Sequence, residues 1–331
     1  MTKFRIPDCS DKNPLVSVII VNWNGRHLLG DCINSILSQS YENYEVIVVD
    51  NFSNDDSANY IKEKFSTVNL IINDSNVGFA QGNNIGYRYS RGKYVLFLNP
   101  DVRLDSECLY ELVKVAENDY DIGICAPKML LLNDPDLINS LGIYLCRNGR
   151  TGQWGDGKKD DGKFNKIREV FAVNGAAMFC RRRMLEQVGL FDEDLFLYYE
   201  DIDLSWRARL CAWKCVLVPN SRIYHMRNAT LKKYPEIGET AKYYNQRNRI
   251  LVLLKNSSFT QLFVNFPFIL KYDLLMVAKS IFYLFKYRRY PIEIRARFDA
   301  MLQLYKVAQK RYKDNKNIIG PRSLMRKWVM K

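Results

Sequence analysis

VSVIIVNWNG, residues 16–25, is the stretch that decides the fold which this sequence predicts. It is a continuous apolar run, rich in β-branched residues and closed by turn formers, which is typical of a strand buried on both faces. In the following segment, RHLLGDCINSILSQS, apolar residues recur at helical spacing. A buried strand that leads into an amphipathic helix predicts the start of a parallel α/β sheet.

The alternation of strand and helix continues along the chain. YEVIVVD, VNLIIN and KYVLFL have strand patterns, whereas SANYIKEKF and GNNIGYRYS have helical ones. LDSECLYELVKVAE predicts a further helix, and IGICAPKML and WKCVLVP predict further strands. Residues 133–167 show no period, so we expect a long surface excursion there. The predicted fold is α/β, with a mixed, mostly parallel sheet flanked by helices.

Polar residues collect where the predicted strands end. They are Asn22, Asn24, Asp50, Asn51, Asn73, Asp74, Asn99 and Asp101. In open sheets of this kind, ligands bind outside the carboxyl ends of the strands. The sequence therefore predicts a polar ligand cleft along one edge of the sheet.

Charge is divided unevenly along the 331 residues. Residues 221–331 hold 24 Lys and Arg against 6 Asp and Glu, while residues 1–220 hold 25 against 30. The basic part is suited to nucleic acid or to an anionic membrane, and the rest is typical of a catalytic or binding domain. Because the basic charge is mixed with long apolar runs, we favour the membrane and expect no nucleic-acid partner.

The cysteines and the N-terminus indicate a cytoplasmic protein. The eight Cys include no C-x-x-C pair, and only two His accompany them, so a zinc site is not predicted. We expect reduced, mostly buried thiols. The first fifteen residues, MTKFRIPDCSDKNPL, lack the apolar core of a secretory signal.

An apolar, aromatic segment lies near the C-terminus. LFVNFPFILKYDLLMVAKSIFYLFKYRRY, residues 262–290, is interrupted by Pro267, Lys271, Asp273 and Lys279. It is therefore too broken for a membrane-spanning helix and fits helices that lie in a membrane interface. Ordinary packing on the catalytic domain, or a homodimer contact, remains an alternative.

Asp50 ends the second predicted strand, where an acidic residue commonly binds a nucleotide ribose or base. The glycine fingerprint of dinucleotide-binding folds is absent, and so is a P-loop. Gly78, Gly82 and Gly86 are four residues apart on one helix face, a spacing that indicates close packing as readily as a ligand-binding role.

Two short motifs contain candidate metal ligands. In FLNPDV, Asp101 follows a buried strand and is suited to a hard divalent cation, but an Asn-Pro-Asp turn is an equal alternative. His225 in IYHMRNAT is a candidate ligand, although a lone His after a strand is more often structural.

FLYYEDIDLSWR, residues 196–207, places Glu200, Asp201 and Asp203 between aromatic residues. A solvated acidic face is the simplest explanation for such a trio. The apolar flanks predict burial instead, and a buried carboxylate can serve as a general base. We expect Asp203 to help start the helix that follows.

Several motifs in order make the chain resemble the family 2 glycosyltransferases of GT-A fold. They are VSVIIVNWNG, VIVVDNFSND, NVGFAQGNNIG, VLFLNPDV, NGAAMFCRR, FLYYEDIDLSWR and YHMRNAT. The resemblance covers roughly residues 14–255 and is greatest to the rhamnosyltransferase-like branch, which builds lipid-linked cell-surface glycans.

The resemblance implies residue roles in donor binding. Asp50 would contact the base of a UDP- or dTDP-sugar, Val21, Asn22 and Asn24 would line the cleft, and Asn76, Gly78 and Asn84 would form its other wall. Asn99 stands at the first position of the family's D-x-D motif and Asp101 at the last, with His225 completing a site for Mg²⁺ or Mn²⁺. The Asn99 departure weakens the expected metal affinity.

The resemblance also implies an inverting transfer in which Asp201 is the base and Glu200 its substitute. Arg207 and Arg247 are candidate partners for phosphate or for the acidic cluster. The implied acceptor is lipid-linked or a polysaccharide, at the cytoplasmic face of the membrane. A nucleotidyltransferase and an inactive membrane scaffold are the alternatives.

The resemblance and the charge pattern divide the chain into three parts. Residues 1–13 are an extension, and residues 14–255 form the catalytic domain. That domain has a nucleotide-binding half, 14–130, and an acceptor half, 131–255. Residues 256–331 form a basic, helical, peripheral membrane region.

Overall fold

The protein is described by a computed structural model that covers residues 13–227, 237–287, 291–315, 318 and 328–330. The first predicted alternation is confirmed. Its elements are β1 Val16–Asn22, α1 Arg26–Leu37, β2 Tyr44–Asp50, α2 Ser57–Lys64, β3 Asn69–Ile72, α3 Gly78–Tyr89 and β4 Tyr94–Leu98. Of the predicted extension at residues 1–13, only residue 13 is described, so Cys9 lies outside the described residues.

The second half adds antiparallel strands and a helical C-terminal region. The elements up to residue 188 are β5 Val102–Leu104, α4 Cys108–Asn118, β6 Ile122–Leu131, β7 Asp134–Ser140, β8 Ile143–Cys146, β9 Thr151–Gln153, β10 Arg168–Glu169, β11 Ala177–Arg181 and α5 Arg182–Val188. A 3₁₀ helix, Glu193–Leu195, precedes α6 Glu200–Leu210 and β12 Lys214–His225. The rest comprises α7 Ile237–Asn256, α8 Phe259–Tyr287, α9 Ile292–Leu302, α10 Leu304–Asn315 and β13 Val329–Met330.

The central sheet has the strand order β10-β12-β6-β11-β4-β1-β2-β3 within the described residues, with β5 paired to β12 and β7 to β6. The strands β4, β1, β2 and β3 are parallel to one another, and β11 is antiparallel to β4 and β6. The sheet is therefore mixed, and its strands within residues 14–130 are mostly parallel, as predicted.

Close packing of α3 on the sheet depends on its glycines. A Cβ atom on Gly82 would lie 2.8 Å from Val21 Cγ1, and one on Gly86 would lie 2.4 Å from Ile19 Cγ2. Gly78 opens the helix with a φ of +83°, which L-residues rarely adopt. The four-residue glycine spacing therefore serves contact between helix and sheet, one of the two roles that the sequence indicated.

Two predictions about the second half are wrong in detail. Residues 133–167 are not a featureless excursion, because β7 pairs with β6, and β8 pairs with β9. The strand predicted to end at Pro219 continues to His225 as β12, with a register shift between Val218 and Arg222. A bulge accommodates the proline, which cannot donate a ladder hydrogen bond.

The C-terminal region is helical in its described parts. Within them, no helix is long and apolar enough to cross a membrane. The predicted boundary between residues 255 and 256 falls inside α7, which ends at Asn256. Because the Asn256 amide donates to the buried Asp203 carboxylate at 2.7 Å, the helical region and the catalytic domain are packed as one unit at this point.

Candidate active site

Asn22 and Asp50 form one wall of the predicted cleft. They are register partners at the ends of the parallel strands β1 and β2, and Asn22 Nδ2 donates to Asp50 Oδ2 at 3.0 Å. The backbone N–H of Ser53 donates to Asp50 Oδ1 at 2.9 Å. Ser53 Oγ in turn accepts from the backbone N–H of Asn24 at 2.9 Å. The parallel register thus brings residues far apart in sequence into one polar group.

The second wall contains a residue that the sequence analysis placed at a strand end but did not assign to the site. Asn51, which is buried, donates from Nδ2 to Asn76 Oδ1 at 2.9 Å. Its Oδ1 accepts from Asn73 Nδ2 and from the backbone N–H of Val77, both at 3.1 Å. Asn76 Oδ1 also accepts from the backbone N–H of Gly78 at 2.9 Å. Asn51 therefore holds the turn that carries Asn76 and Gly78.

Two predicted cleft residues are engaged in packing contacts. Val21 lies against α3 at Gly82. Asn84 donates to the carbonyl oxygen of Phe191 at 2.9 Å and accepts from the Phe191 N–H at 3.1 Å. These contacts join α3 to the sheet and to the segment before α6. Val21 and Asn84 therefore stabilise the packing of elements next to the predicted cleft.

Asp101 and His225 meet where β5 pairs with β12. His225 Nε2 lies 3.4 Å from Asp101 Oδ2, while its Nδ1 is 2.7 Å from Asn139 Oδ1. Asp101 Oδ1 is buried and has no hydrogen-bond partner among the described residues. A buried carboxylate oxygen left without a partner is costly unless a ligand completes it. The pair fits a hard divalent cation.

The described ranges contain no group of three His, Cys, Asp or Glu side chains that could hold a metal. A cation at Asp101 and His225 would therefore need further oxygen ligands from water or substrate. This is the usual arrangement for Mg²⁺, which keeps several waters and bridges substrate phosphates.

Short contacts through the Asn99–Asp101 turn link these groups to one another. A Cβ on Gly25 would lie 2.4 Å from Asn22 Oδ1 and 3.7 Å from Pro100 Cγ, so the Asn22–Asp50 wall adjoins the turn that carries Asp101. The backbone N–H of Asn99 donates to the Ala176 carbonyl at 2.9 Å. Next to Ala176, the N–H of Gly175 donates to Asp201 Oδ2 at 2.8 Å.

The stretch before Glu200 has an unusual backbone. Phe196, Tyr198 and Tyr199 have φ values of 61°, 66° and 69°. Bulky residues rarely occupy this left-handed region, and each such residue costs about 1–3 kcal/mol. Three of them within four positions form a strained turn, and α6 begins directly after it at Glu200. Backbone strain of this kind is concentrated at functional sites.

Glu200 and Asp201 differ in environment. Asp201 is half-buried, accepts from the N–H groups of Gly175 and Ile202, and burial raises its pKa to about 6. Glu200 is buried, and its Oε2 has no partner in the described structure. Burial, followed by the charges of Asp201 and Asp203, raises the pKa of Glu200 well above its usual range. Burial without a hydrogen-bond partner therefore disfavours the ionised form of Glu200, whereas two N–H groups stabilise the ionised form of Asp201.

Tyr198 connects the acidic pair with the candidate metal site. Burial is the largest cause that raises the pKa of its phenol, and the charges of Glu200 and Asp101 raise it further. Both carboxylates are therefore within electrostatic range of this one phenol.

Asp203 lies in the first turn of α6, as predicted, but its main contacts are with other side chains. Asp203 is fully buried and accepts from Arg207 Nε at 2.8 Å, Lys255 Nζ at 3.1 Å and Asn256 Nδ2 at 2.7 Å. Burial alone would raise its pKa, but Lys255 and Arg207 outweigh burial and hold the pKa well below the usual range. Of the two partners predicted for Arg207, the structure shows the acidic cluster.

Arg247 lies on α7, beside the backbone of the strained turn. Its guanidinium donates from Nη2 to the Asp194 carbonyl at 2.6 Å and from Nε to Asn248 Oδ1 at 2.9 Å. It also lies over the Tyr244 ring, 4.8 Å from the centroid. These contacts place Arg247 against the strained turn, and its predicted role in binding the phosphate of the nucleotide sugar stays a prediction.

The comparison with known families decides the assignment. The profile of the family described as "Glycosyl transferase family 2" matches residues 17–189, which is more than half of the chain and includes β1 through α5. The chain belongs to glycosyl transferase family 2. Asp50 and Asp101 lie within the matched residues, whereas Asp201 and His225 lie beyond them.

Curated relatives of this family 2 chain include a hexosyltransferase and a rhamnosyltransferase. The low-salt glycan biosynthesis hexosyltransferase Agl10 of Haloferax volcanii is 26% identical over 208 residues, 59% of this chain and 61% of that protein. An N-acetylglucosaminyl-diphospho-decaprenol L-rhamnosyltransferase of Mycobacterium tuberculosis is 26% identical over 239 residues, 64% of this chain and 76% of that one. The match spans 25%, 18% and 16% of the length of three other relatives.

Solved structures show the same fold. The mannosyltransferase PcManGT of Pyrobaculum calidifontis, in complex with GDP-Man and Mn²⁺, has a TM-score of 0.55 at 16% identity, over 96% of this family 2 chain and 88% of that one. GalNAc-T7 with UDP, GalNAc and Mn²⁺ has a TM-score of 0.59 at 18% identity, over 74% of this chain and 48% of that one. The family 2 chain therefore has the GT-A fold.

Proposed function

We propose that the protein is an inverting, metal-assisted glycosyltransferase. It transfers a sugar from a nucleotide-diphosphate sugar to a hydroxyl of a lipid-linked or polysaccharide acceptor in cell-surface glycan synthesis. The observation that carries the proposal is the position of Asp201. It is a half-buried carboxylate with a raised pKa, and the backbone of residues 174–176 connects it to the Asn99–Asp101 turn.

In this proposal the donor nucleotide binds along the ends of β1 and β2. Asp50 accepts from the base, and Asn22 and Ser53 hold the Asp50 carboxylate by their hydrogen bonds. Asn51 keeps the opposite wall in place through Asn76. Structural neighbours bound to UDP-GlcNAc, UDP and GDP-Man support a nucleotide-sugar donor.

Asp101 and His225 are the residues that would hold a divalent cation, Mg²⁺ or Mn²⁺. The unpaired Asp101 Oδ1 supports this assignment. So do neighbours of the same fold that were crystallised with Mn²⁺. When bound, such a cation neutralises charge on the leaving diphosphate. Asn99, at the first position of the turn, contributes a neutral amide in place of a second carboxylate.

Asp201 is the proposed base. Its ionised carboxylate accepts the proton of the acceptor hydroxyl while that oxygen attacks the anomeric carbon and the bond to the diphosphate breaks. The N–H groups of Gly175 and Ile202 orient the carboxylate. Glu200 is the alternative base, but no N–H group orients its buried Oε2, and burial disfavours its ionised form.

The relatives guide the choice of sugar and acceptor. A rhamnose-like donor sugar is favoured because a relative of similar length transfers rhamnose to a decaprenol-linked acceptor, according to its name. The Haloferax relative is named as a hexosyltransferase of glycan synthesis. A screen of nucleotide sugars, including dTDP-rhamnose and UDP-GlcNAc, would identify the donor.

Turnover of the purified protein with its best donor tests the proposal. Asp201→Asn keeps the size of the side chain and removes the base, so we expect transfer to fall by about 10²–10⁴-fold. Asp136→Asn, at an exposed position on β7, is the matched control. Near wild-type turnover of Asp201→Asn would refute the base assignment. Formation of a new nucleotide sugar with release of diphosphate would indicate a nucleotidyltransferase.

We further propose that the C-terminal helices bind the inner face of the cell membrane as a peripheral anchor. On α8, exposed apolar side chains include Phe259, Phe263, Phe266, Leu270, Leu274, Phe282 and Phe285. Residues 256–331 hold 16 Lys and Arg against 4 Asp and Glu. An apolar face on a basic segment is complementary to anionic lipid.

Sedimentation with vesicles tests the membrane proposal. We expect the full chain to sediment with vesicles that contain phosphatidylglycerol, and Phe263→Ser together with Phe285→Ser to reduce the bound fraction. Leu37→Ser, an exposed apolar residue on α1, is the control. Equal sedimentation of all variants would refute the proposal. Release of a dimer to monomers by the Phe substitutions would assign the face to a homodimer instead.

A further inference from the structure

We propose that Asn248, on α7, is a positioning residue that holds the strained turn before Glu200 and thereby sets the orientation of Asp201. The inference rests on the proposed function, because it concerns the base of that reaction. It adds a residue outside the segment that the family profile matches, and assigns α7 a role in catalysis.

The strained turn needs an external support. Phe196, Tyr198 and Tyr199 all have positive φ values, at a cost of about 1–3 kcal/mol each. Such conformations persist only where the surroundings over-determine them. The residues that fix this backbone are therefore the ones on which the start of α6 depends.

Asn248 supplies this support from one side. The side chain is fully buried, and its Nδ2 lies 2.7 Å from the carbonyl oxygen of Leu195, 2.9 Å from that of Leu197 and 2.8 Å from that of Tyr198, so its two hydrogens are shared among three acceptors. Three backbone carbonyls thus converge on one amide. Arg247 Nε donates to Asn248 Oδ1 at 2.9 Å, which fixes the amide with its NH₂ group towards the turn.

The other side of the turn is held by α3. The N–H groups of Phe79 and Ala80 donate to the Phe196 carbonyl at 2.8 and 3.2 Å. The Phe196 ring stacks on Tyr244 of α7, with 4.9 Å between centroids. The turn is therefore fixed between α3, which adjoins the nucleotide wall, and α7.

The connection from Asn248 to the base is short. The Tyr198 carbonyl that Asn248 binds is three residues before Asp201, and α6 begins between them. A shift of the turn moves the first turn of α6, and with it the Asp201 carboxylate relative to the Gly175 N–H. A displacement of about 1 Å can cost about 10²-fold in rate when the reacting groups must be aligned.

Two variants at this position separate positioning from folding. Asn248→Asp keeps the shape but turns a carboxylate oxygen towards three carbonyls, and Asn248→Ala removes the donor. Gln246→Ala is the control on the same helix, because Gln246 contacts Tyr272 and not the turn. If the Asn248 variants fail to fold, Tyr244→Leu removes the ring that stacks on Phe196 without leaving a buried carbonyl unpaired.

We expect kcat of the Asn248 variants to fall by about 10–100-fold, with KM for the donor changed by less than about threefold. The midpoint of the acidic limb of the kcat profile should move, because the surroundings of Asp201 change. Binding of UDP, measured by calorimetry, should stay within about threefold of wild type. Tyr244→Leu should show the same pattern with a smaller loss, and Gln246→Ala should show none.

Unchanged kcat per folded molecule, or an equal loss of UDP binding and turnover, would overturn the positioning role. An acidic limb that does not move would also overturn it, since a purely structural residue changes the folded fraction only. These outcomes are distinct from failure of the proposed function. That failure appears as full activity of Asp201→Asn, whereas failure of the inference appears as full activity of Asn248→Asp while Asp201→Asn is inactive.

Discussion

His225 Nε2, at the end of β12, lies 3.4 Å from Asp101 Oδ2, in the turn just before the antiparallel strand β5. The pairing of β12 with β5 sets this distance, because His225 is the register partner of Val102, the residue after Asp101. Asn139 contacts the other ring nitrogen at 2.7 Å and so fixes the ring orientation. Such a contact on the second nitrogen is typical of ligating histidines.

The first prediction concerns the cation. Asp101→Asn should raise the Mn²⁺ concentration for half-maximal transfer by about 10–100-fold. His225→Gln should act in the same direction, since each removes one ligand. Asp161→Asn, in an exposed ion pair with Lys163, is the control. Titration of activity with Mn²⁺ after treatment with EDTA measures the effect, and unchanged midpoints would refute the site.

The second prediction concerns the pH dependence of turnover. Burial raises the pKa of Asp201 to about 6, and a base acts only in its ionised form. We therefore expect kcat to be half-maximal near the pKa of Asp201 and to fall about tenfold for each pH unit below it. A kcat profile flat down to about pH 4 would contradict this role.

The third prediction concerns stability and Glu200. Because burial raises its folded pKa, the folded state holds this proton more tightly than the unfolded state, and the free energy of unfolding falls as pH rises above the unfolded pKa. Glu200→Gln removes that pH-dependent cost. The variant should therefore gain stability relative to wild type as the pH rises above about 4.5, by about 1.4 kcal/mol for each pH unit up to the folded pKa. Urea unfolding at several pH values measures this, and a constant difference would contradict it.

The fourth prediction concerns Asp203. Asp203→Ala leaves Lys255 and Arg207 buried without their shared carboxylate, so the free energy of unfolding should fall by about 3–5 kcal/mol. Asp161→Asn should have little effect, because exposed ion pairs contribute little. Thermal unfolding compares the two. If Asp203→Ala and Asp161→Asn unfold at the same temperature, the buried network is not needed for stability.

The fifth prediction concerns α3. Gly86→Ala places a Cβ 2.4 Å from Ile19 Cγ2, and this overpacking should cost about 1–3 kcal/mol. Gly238→Ala, also in a helix, has open space around the new Cβ and should be neutral or stabilising by up to about 1 kcal/mol. Urea unfolding measures the free energy of unfolding of both variants. Equal values would show that α3 can move away from the sheet to accommodate the new Cβ.

The parallel half of the fold could be predicted because its strands are buried on both faces. Residues such as Ile19 and Ile47 belong to continuous apolar runs, whose pattern differs from that of the amphipathic helices between them. Asp50 and Asp101 could be selected because the ends of parallel strands meet at one edge. The sequence predicted that Asn22 and Asp50 lie at a common edge, and the structure adds the hydrogen bond between them.

The remaining features depend on contacts that no local pattern records. β7, with the sequence DPDLINS, lacks apolar alternation and is a strand because its backbone pairs with β6. Asn248 has the sequence context of an ordinary helical residue, and its role follows from carbonyls 50–53 positions earlier. Asp203 has a helix-start position, but its partners Lys255 and Asn256 come from α7. Of the residues that the sequence analysis did not assign to the site, Asn51 could have been found, because it is a polar residue next to Asp50 at the end of a predicted strand.

The contacts of Asp203 and Asn248 join residues near the start of α6 to residues of α7, which the ribosome adds later. Asn256 follows Asp203 by 53 positions, and Asn248 follows Leu197 by 51. At about 5–20 residues per second, a ribosome needs several seconds to add that length. During this interval the chain has the strands of the nucleotide half but not the support for its base. If Asp201 is the base, we expect a nascent chain that has just completed α6 to be inactive until α7 has been synthesised.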